Sequence, residues 1–202
     1  MENKKIMVKH TFKYNAHDLK GLFEGTNKLS TFCRKLEVQA ETNINRYPRD
    51  QYVGDGFEFL VELILKLLPY NRTLGGVYNY TPTQVDDNGV DGIAKNWDGE
   101  DCVVQVKYRG DSRYQLTANN DHLSNLVKEA TIKYRIPPHD ISKKQVSKYF
   151  IITTAKDLHY YTKDEFFLGS VECIGRDALK KLLDDNKGFW RACRKIINNL
   201  EG

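Results

Sequence analysis

Cysteine is scarce in this 202-residue chain and never clustered. Cys33, Cys102, Cys173 and Cys193 form no Cys-x-x-Cys pair, which excludes the usual zinc-ribbon spacing and a disulfide framework. No stretch approaches the ~18 consecutive apolar residues of a membrane span. The opening MENKKIMVKH lacks the apolar segment of a signal peptide. There is no internal repeat and no low-complexity tract. These absences lead to the expectation of a cytoplasmic protein with reduced thiols and no membrane partner. What is present suits one globular domain: 40% hydrophobic residues, enough for a core, and 29% charged.

The net charge of +4 hides a pattern. Residues 1–50 hold 10 basic and 6 acidic side chains, and 51–103 hold 3 and 9. Residues 104–148 hold 9 and 4, and 149–202 hold 9 and 8. An acidic segment between basic ones is what a polyanion-binding protein with a central cation site would show. Chance clustering on a solvated surface gives the same counts.

Periodicity supplies the elements. Residues 1–48 read as an accessory segment, a short strand (Ile6, Val8, His10, Phe12) followed by helices, with Leu29, Phe32, Cys33 and Leu36 at helical spacing. Residues 43–48 read as a linker, and 49–202 as the main unit with its C-terminal helix. Phe57, Leu60, Val61, Ile64 and Leu68 predict a helix that Gly54-Asp-Gly56 precedes and Pro69 ends. A second helix is expected over 122–134, capped by Asn120 or Asp121. Residues 149–155, YFIITTA, read as a central strand. Thr162-Lys-Asp-Glu165 reads as a capping box, residues 171–174 as a strand, and 177–183 and 189–200 as amphipathic helices. The order indicates an α/β sandwich around a mixed sheet.

The most informative stretch is GVDGIAKNWDGEDCVVQVKYR, from Gly89 to Arg109. Asp98-Gly99 between two strand-like runs is a hairpin signal. On the second strand Cys102, Val104, Val106 and Tyr108 share an apolar face, and Val103, Gln105, Lys107 and Arg109 a more polar one. Asp91 stands near the start of the first strand. A Lys aimed toward an acid across a hairpin suits a site that binds a cation and attacks a phosphate. Mg²⁺ takes oxygen ligands, often only one or two carboxylates. Asp91 would be a direct ligand, with Gln105 offering a side-chain carbonyl, Val106 its main-chain carbonyl, and Glu58 completing the shell. Lys107 would hold the attacking water and stabilise phosphate charge. Simpler roles are a turn for Asp91-Gly92, an aggregation-blocking edge lysine for Lys107, and a helix ion pair with Lys66 for Glu62. Glu58 has no such partner one turn later. Asp86 and Asp87 read as solvated loop acids. His10, His17, His139 and His159 show no ligand spacing. Tyrosines could stack on bases, although half-buried sheet positions account for most.

Gly54 to Glu58 (GDGFE), the segment around Asp91 (GVDGIA) and Val103 to Arg109 (VVQVKYR) resemble the core of the PD-(D/E)xK nuclease superfamily. They most resemble its Mrr-like branch, where Gln-x-Lys follows the Asp. TANNDHLSNLVKEA (Thr117 to Ala130), KYFIITTA and VECIGRDALKKLL resemble later elements of the same core. The resemblance covers roughly residues 52–185 by this element count. Val90 stands where many members have Pro, and Gln105 replaces the second acid; both departures occur in the Mrr-like branch. The resemblance implies a restriction-endonuclease-like α/β/α sandwich around a mixed central sheet, with residues 1–48 as a mainly helical extension. It also implies Mg²⁺-dependent DNA cleavage, Mn²⁺ being able to substitute, with Glu58, Asp91, Gln105 and Lys107 as site residues.

DNA contacts are expected from Arg109, Arg113 and Lys128, from His122 at a helix start, and from Lys143 and Lys144. Lys148, Lys9, Lys13, Arg46 and Arg49 would hold flanking phosphates. Double-strand cleavage would call for two active sites, hence a homodimer. The competing functions are an inactive DNA-binding module of the same fold and a branched-DNA resolvase.

Overall fold

The computed structural model describes residues 16–83, 89–137, 148–167 and 170–199. The expected strand over 6–12, together with Lys9, Lys13, Asp86, Asp87, His139, Lys143 and Lys144, lies outside them.

The N-terminal helices are α1 (Ala16–Phe23) and α2 (Leu29–Thr42), followed by α3 (Arg49–Leu67). In α2 the buried residues Leu29, Phe32, Cys33, Leu36 and Ala40 recur every three or four positions and give it one apolar stripe. Helix α3 starts two turns earlier than its periodicity predicts. Pro48 stands at its N-cap, and Gly54 and Gly56 fall inside it rather than before it. Burial of Tyr52 and Val53 supplies the core contact that carries the helix back through the glycines.

The main sheet has strand order β1-β2-β3-β5-β7. Strands β1 (Tyr78–Pro82), β2 (Gly92–Lys95) and β3 (Asp101–Lys107) are antiparallel neighbours. Strands β5 (Tyr149–Thr153) and β7 (Val171–Ile174) continue it in parallel with β3. A second, parallel pair comprises β4 (Gln115–Leu116) and β6 (Asp157–Leu158). The remaining helices are α4 (Leu123–Ile132), α5 (Arg176–Leu183) and α6 (Lys187–Asn198).

Alternation along the strands divides the interior in two. Cys102, Val104 and Val106 of β3, with Phe150 and Ile152 of β5, pack with α1, α2, α3, α5 and α6. Val103 of β3, with Tyr149 and Ile151, packs with Leu123, Leu126 and Ala130 of α4. The sheet is therefore mixed, with helices on both sides. Helices α1 and α2 share the larger core, with Phe32 of α2 6.3 Å from Trp190 of α6 between ring centroids.

Both faces of β3 are covered, which corrects the expectation of one apolar and one polar face: Val103 is fully buried and Gln105 is 1% exposed. The edge-lysine role for Lys107 fails for the same reason, since β3 is the middle strand. Strand β1 was not evident in the sequence. It runs Tyr-Asn-Tyr-Thr-Pro, is irregular between Tyr78 and Thr81, and holds Asn79 at φ 54°. An edge strand tolerates both the irregularity and the terminal proline.

Candidate active site

The hairpin forms as its turn residues predict. Buried Asn96 organises the loop, its Oδ1 accepting the N–H of Asp98 (3.1 Å) and of Glu100 (2.9 Å). Gly99 adopts φ 80°, the left-handed conformation that favours glycine.

The two sides of β3 differ in length of pairing. Strand β2 pairs with β3 only as far as Val104, whereas β5 follows it to Lys107. A notch thus opens on the β2 side of Gln105, Val106 and Lys107. Asp91 enters it from the residue before β2. Its N–H donates to the Val104 carbonyl (3.0 Å), and its Oδ2 accepts the Val106 N–H (2.6 Å). In-plane groups alternate along a strand. Val103 and Lys107 hydrogen-bond toward β5, to the Lys148 carbonyl and from the Thr154 N–H. Val104 and Val106 bond toward Asp91, so the Val106 carbonyl faces the notch.

Two further groups enclose this corner. The Tyr80 hydroxyl donates to the Asp91 carbonyl (3.2 Å). A Cβ at Gly92 would come 2.2 Å from the Tyr80 ring, so glycine is required for that approach. Helix α3 contributes Glu58. Burial raises its carboxyl far above the ordinary range, the Asp91 and Asp55 charges raise it further, and Lys107 opposes them. Burial likewise raises Asp91, against the lowering effect of the Val106 N–H and of Lys107. Tyr80 is pushed up by burial, then by Asp91, Glu62 and Glu58. The Asp91 and Lys107 charges thus act on Glu58, and the Lys107 charge acts on Asp91. Glu62 is 2% exposed and pairs with Lys66 at i+4, the role expected of it.

The Oε1 of Gln105 is buried and has no hydrogen-bond partner. An orphaned buried acceptor is costly unless something supplies positive charge or a donor. No group of three or more His, Cys, Asp or Glu side chains able to hold a metal occurs among the described residues. The notch and the residues around it offer instead two carboxylates, a main-chain carbonyl and, from the residue before Val106, the Gln105 carboxamide oxygen. That set fits a hard, oxygen-seeking divalent ion that keeps part of its water shell.

The residues after Lys107 are held firmly. The Tyr108 hydroxyl donates to Glu37 Oε1 of α2 (2.6 Å), which ties the accessory helices to this loop. Arg109 forms an ion pair with fully buried Asp121. Asp121 Oδ2 also accepts from the Thr117 N–H (2.7 Å) and the Tyr114 hydroxyl (3.2 Å). The Arg109 carbonyl accepts from Thr154 Oγ1 (2.9 Å) and Arg176 (2.9 Å). Arg109 thus organises this loop rather than standing free for a phosphate. Asp121 is not the α4 cap, which corrects the sequence expectation; His122 takes that position at φ 53° without a side-chain cap bond. Thr162 does not cap either. Its hydroxyl accepts from the Ala118 N–H (3.2 Å), and residues 162–166 form a single wide helical turn.

Among the expected DNA contacts, His122, Arg113, Lys128 and Arg46 are exposed. Arg49 is paired with Glu41 at 2.5 Å. Sequence reasoning missed Tyr80 and the structural use of Asp121. Tyr80 lies in a strand that the sequence does not signal. Asp121 reads as a helix cap because it precedes an apolar helical run, although its partners Thr117, Tyr114 and Arg109 all lie shortly before it in the chain. No protein-family model, curated protein or solved structure matches this chain.

Proposed function

We propose that the protein is a Mg²⁺-dependent DNA endonuclease built on a restriction-endonuclease-like core. The observation that carries this reading is the notch. Asp91 is fixed there on Val106, the residue after Gln105 with its buried and unpartnered Oε1, and stands within electrostatic reach of Glu58 and Lys107. The Gln-x-Lys resemblance of the sequence points the same way, as do the exposed Arg113, Lys128, Lys133 and Arg135.

Asp91, Glu58, the Gln105 carboxamide oxygen and the Val106 carbonyl would hold the ion. A bound Mg²⁺ supplies charge neutralisation at a phosphate and an acidified water. Lys107 orients the attacking water and stabilises negative charge on the phosphate oxygens. The Val106 N–H keeps the Asp91 carboxylate in one orientation, and the Tyr80 hydroxyl fixes the backbone that carries it. Exposed Arg113 and Lys128 hold DNA phosphates without reading sequence.

The test is supercoiled plasmid incubated with the protein and Mg²⁺. Nicked or linear product is expected from the parent, and none from Asp91→Ala or Lys107→Ala, both remaining folded and able to bind DNA. Parent protein that binds DNA but leaves plasmid intact with Mg²⁺ and with Mn²⁺ would establish the inactive-module alternative. Preferential cutting of a four-way junction over linear duplex would assign the resolvase alternative.

A further inference from the structure

A cavity of about 490 Å³ lies away from the notch, between the segment after β4 and the segment after β6. Thr117, Asn119 and Asn120 form one wall, and His159, Tyr161 and Glu165 the other. The walls are stitched together. The His159 N–H donates to the Leu116 carbonyl (2.8 Å), and the Ala118 N–H to the Thr162 hydroxyl (3.2 Å).

His159 and Tyr161 line this cavity, and Tyr160, which does not, packs against both of their rings. Tyr160 is 57% exposed and Tyr161 52%. Their ring centroids are 3.9 Å apart. His159 lies 5.6 Å from Tyr161 with ring planes only 25° apart. The same stretch buries Leu158 and Phe167 completely or nearly so, so the chain has apolar anchors and leaves these rings outside them. Exposed rings beside an open cavity of mixed polar and apolar lining offer a place for a ligand that is itself flat and partly polar.

The chemistry selects a flat aromatic ligand with hydrogen-bonding edges. Tyrosine and histidine faces stack on any nucleobase. Asn119 and Asn120 offer paired donor and acceptor groups, and Glu165 an acceptor for an exocyclic amine, which are the groups that read base edges. Cations stand at the other end of the short β4–β6 pair, where the Lys156 N–H bonds to the Tyr114 carbonyl. Lys156 and Arg113 are exposed there. Two strand residues separate the two ends, on the order of 7 Å. The cavity wall is also tied to the notch through Asp121, which bonds both the Thr117 N–H and Arg109, two positions after Lys107.

We propose that His159, Tyr160 and Tyr161 form a stacking platform for an unpaired nucleobase next to the duplex that the notch engages. This rests on the nuclease reading for the duplex and adds the substrate class: duplex DNA that carries an unpaired or extruded nucleotide at a distance from the cleavage point.

The experiment uses the full chain in EDTA and reads fluorescence anisotropy with three labelled probes. They are a blunt duplex, the same duplex with a short thymidine tail, and the same duplex with an abasic tail of equal charge. The parent is expected to hold the thymidine tail about tenfold tighter than the abasic tail. Tyr160→Ala with Tyr161→Ala is expected to abolish that preference and leave blunt-duplex affinity unchanged. The corresponding Phe variants keep the stacking faces and are expected to retain the preference, which separates lost stacking from a disturbed fold. Equal binding of the two tails by the parent overturns the platform, and so does a preference that survives both alanine changes. Plasmid nicking with Mg²⁺ is scored separately. Loss of nicking with the tail preference intact counts against the nuclease reading alone, and nicking without a tail preference against the platform alone.

Discussion

The Asp91 carboxylate accepts the main-chain N–H of Val106 at 2.6 Å, across the point where β2 stops pairing with β3. One side chain therefore does what the missing strand residue would have done. It satisfies a buried donor and leaves its other oxygen available to the notch. Asp91→Asn keeps an acceptor for Val106 and removes the charge. Its fold is expected to survive, with melting within a few degrees of the parent, while Mg²⁺-dependent nicking falls by about 10³-fold or more. Circular dichroism melts run beside a plasmid assay check this. An Asn variant that nicks at the parental rate would remove Asp91 from the site.

Gln105 gives a prediction with opposite signs for stability and activity. Its Oε1 is buried without a partner, so in metal-free protein the carboxamide is a liability. Gln105→Met fills similar volume without a polar atom. It is expected to raise metal-free stability by about 1 kcal/mol and to lower Mg²⁺ affinity and cleavage. Urea unfolding in EDTA and Mg²⁺ titration of the melting temperature measure the two effects. A Met variant that is destabilised in EDTA would show that the carboxamide has a partner in solution.

Metal-free stability should depend on pH through Glu58 and Asp91. In the folded protein Glu58 is pushed up to about 9 from 4.5, and Asp91 to about 6 from 3.8. The folded state therefore holds protons that the unfolded chain has already released. Unfolding releases protons within that window, so stability falls as pH rises through it. The fall spans roughly pH 4 to 6 for Asp91 and 4.5 to 9 for Glu58, from these values. Melts in EDTA across this range are expected to show a decline that Glu58→Gln flattens above about pH 6. Added Mg²⁺ should stabilise most at the alkaline end, where the ion need not displace protons. A parent melting temperature that rises from neutral to alkaline pH in EDTA would contradict the burial of Glu58.

Local patterns made the hairpin legible. The Asp-Gly turn and the alternation of Val103 to Lys107 placed Asp91, Gln105 and Lys107 on neighbouring strands, and helical spacing chose Glu58 over Glu62. What the sequence hid is tertiary. The stagger that opens the notch depends on β2 and β5 pairing with β3 to different lengths. Asp121 precedes an apolar helical run, so it reads as a cap. Its oxygens instead go to Thr117, Tyr114 and Arg109, a set of partners drawn from the segment before it. Thr162 likewise reads as a cap, but its hydroxyl accepts the Ala118 N–H. Helix α3 outran its periodicity because Tyr52 and Val53 are buried beneath helix residues that glycine would otherwise have weakened.

The Arg109–Asp121 pair separates structural from nucleic-acid-binding cations. Asp121 is fully buried, whereas the Arg109 side chain is 33% exposed. Arg109→Ala leaves a buried carboxylate with only the Thr117 N–H and Tyr114 hydroxyl to satisfy it. It is expected to cost about 3–5 kcal/mol in urea unfolding. The loss should reach Lys107 as well, since the same loop is knotted to Thr154 and Arg176 at the end of β3. Arg113→Ala and Lys128→Ala change exposed side chains and should leave stability within about 0.5 kcal/mol. Each should instead weaken DNA binding and reduce the slope of log affinity against log salt by about one contact. Affinity measured over a salt series, beside urea melts, sorts the three. If Arg109→Ala unfolds like the parent and changes only the salt slope, Arg109 is a phosphate contact and its bond to Asp121 carries little of the fold.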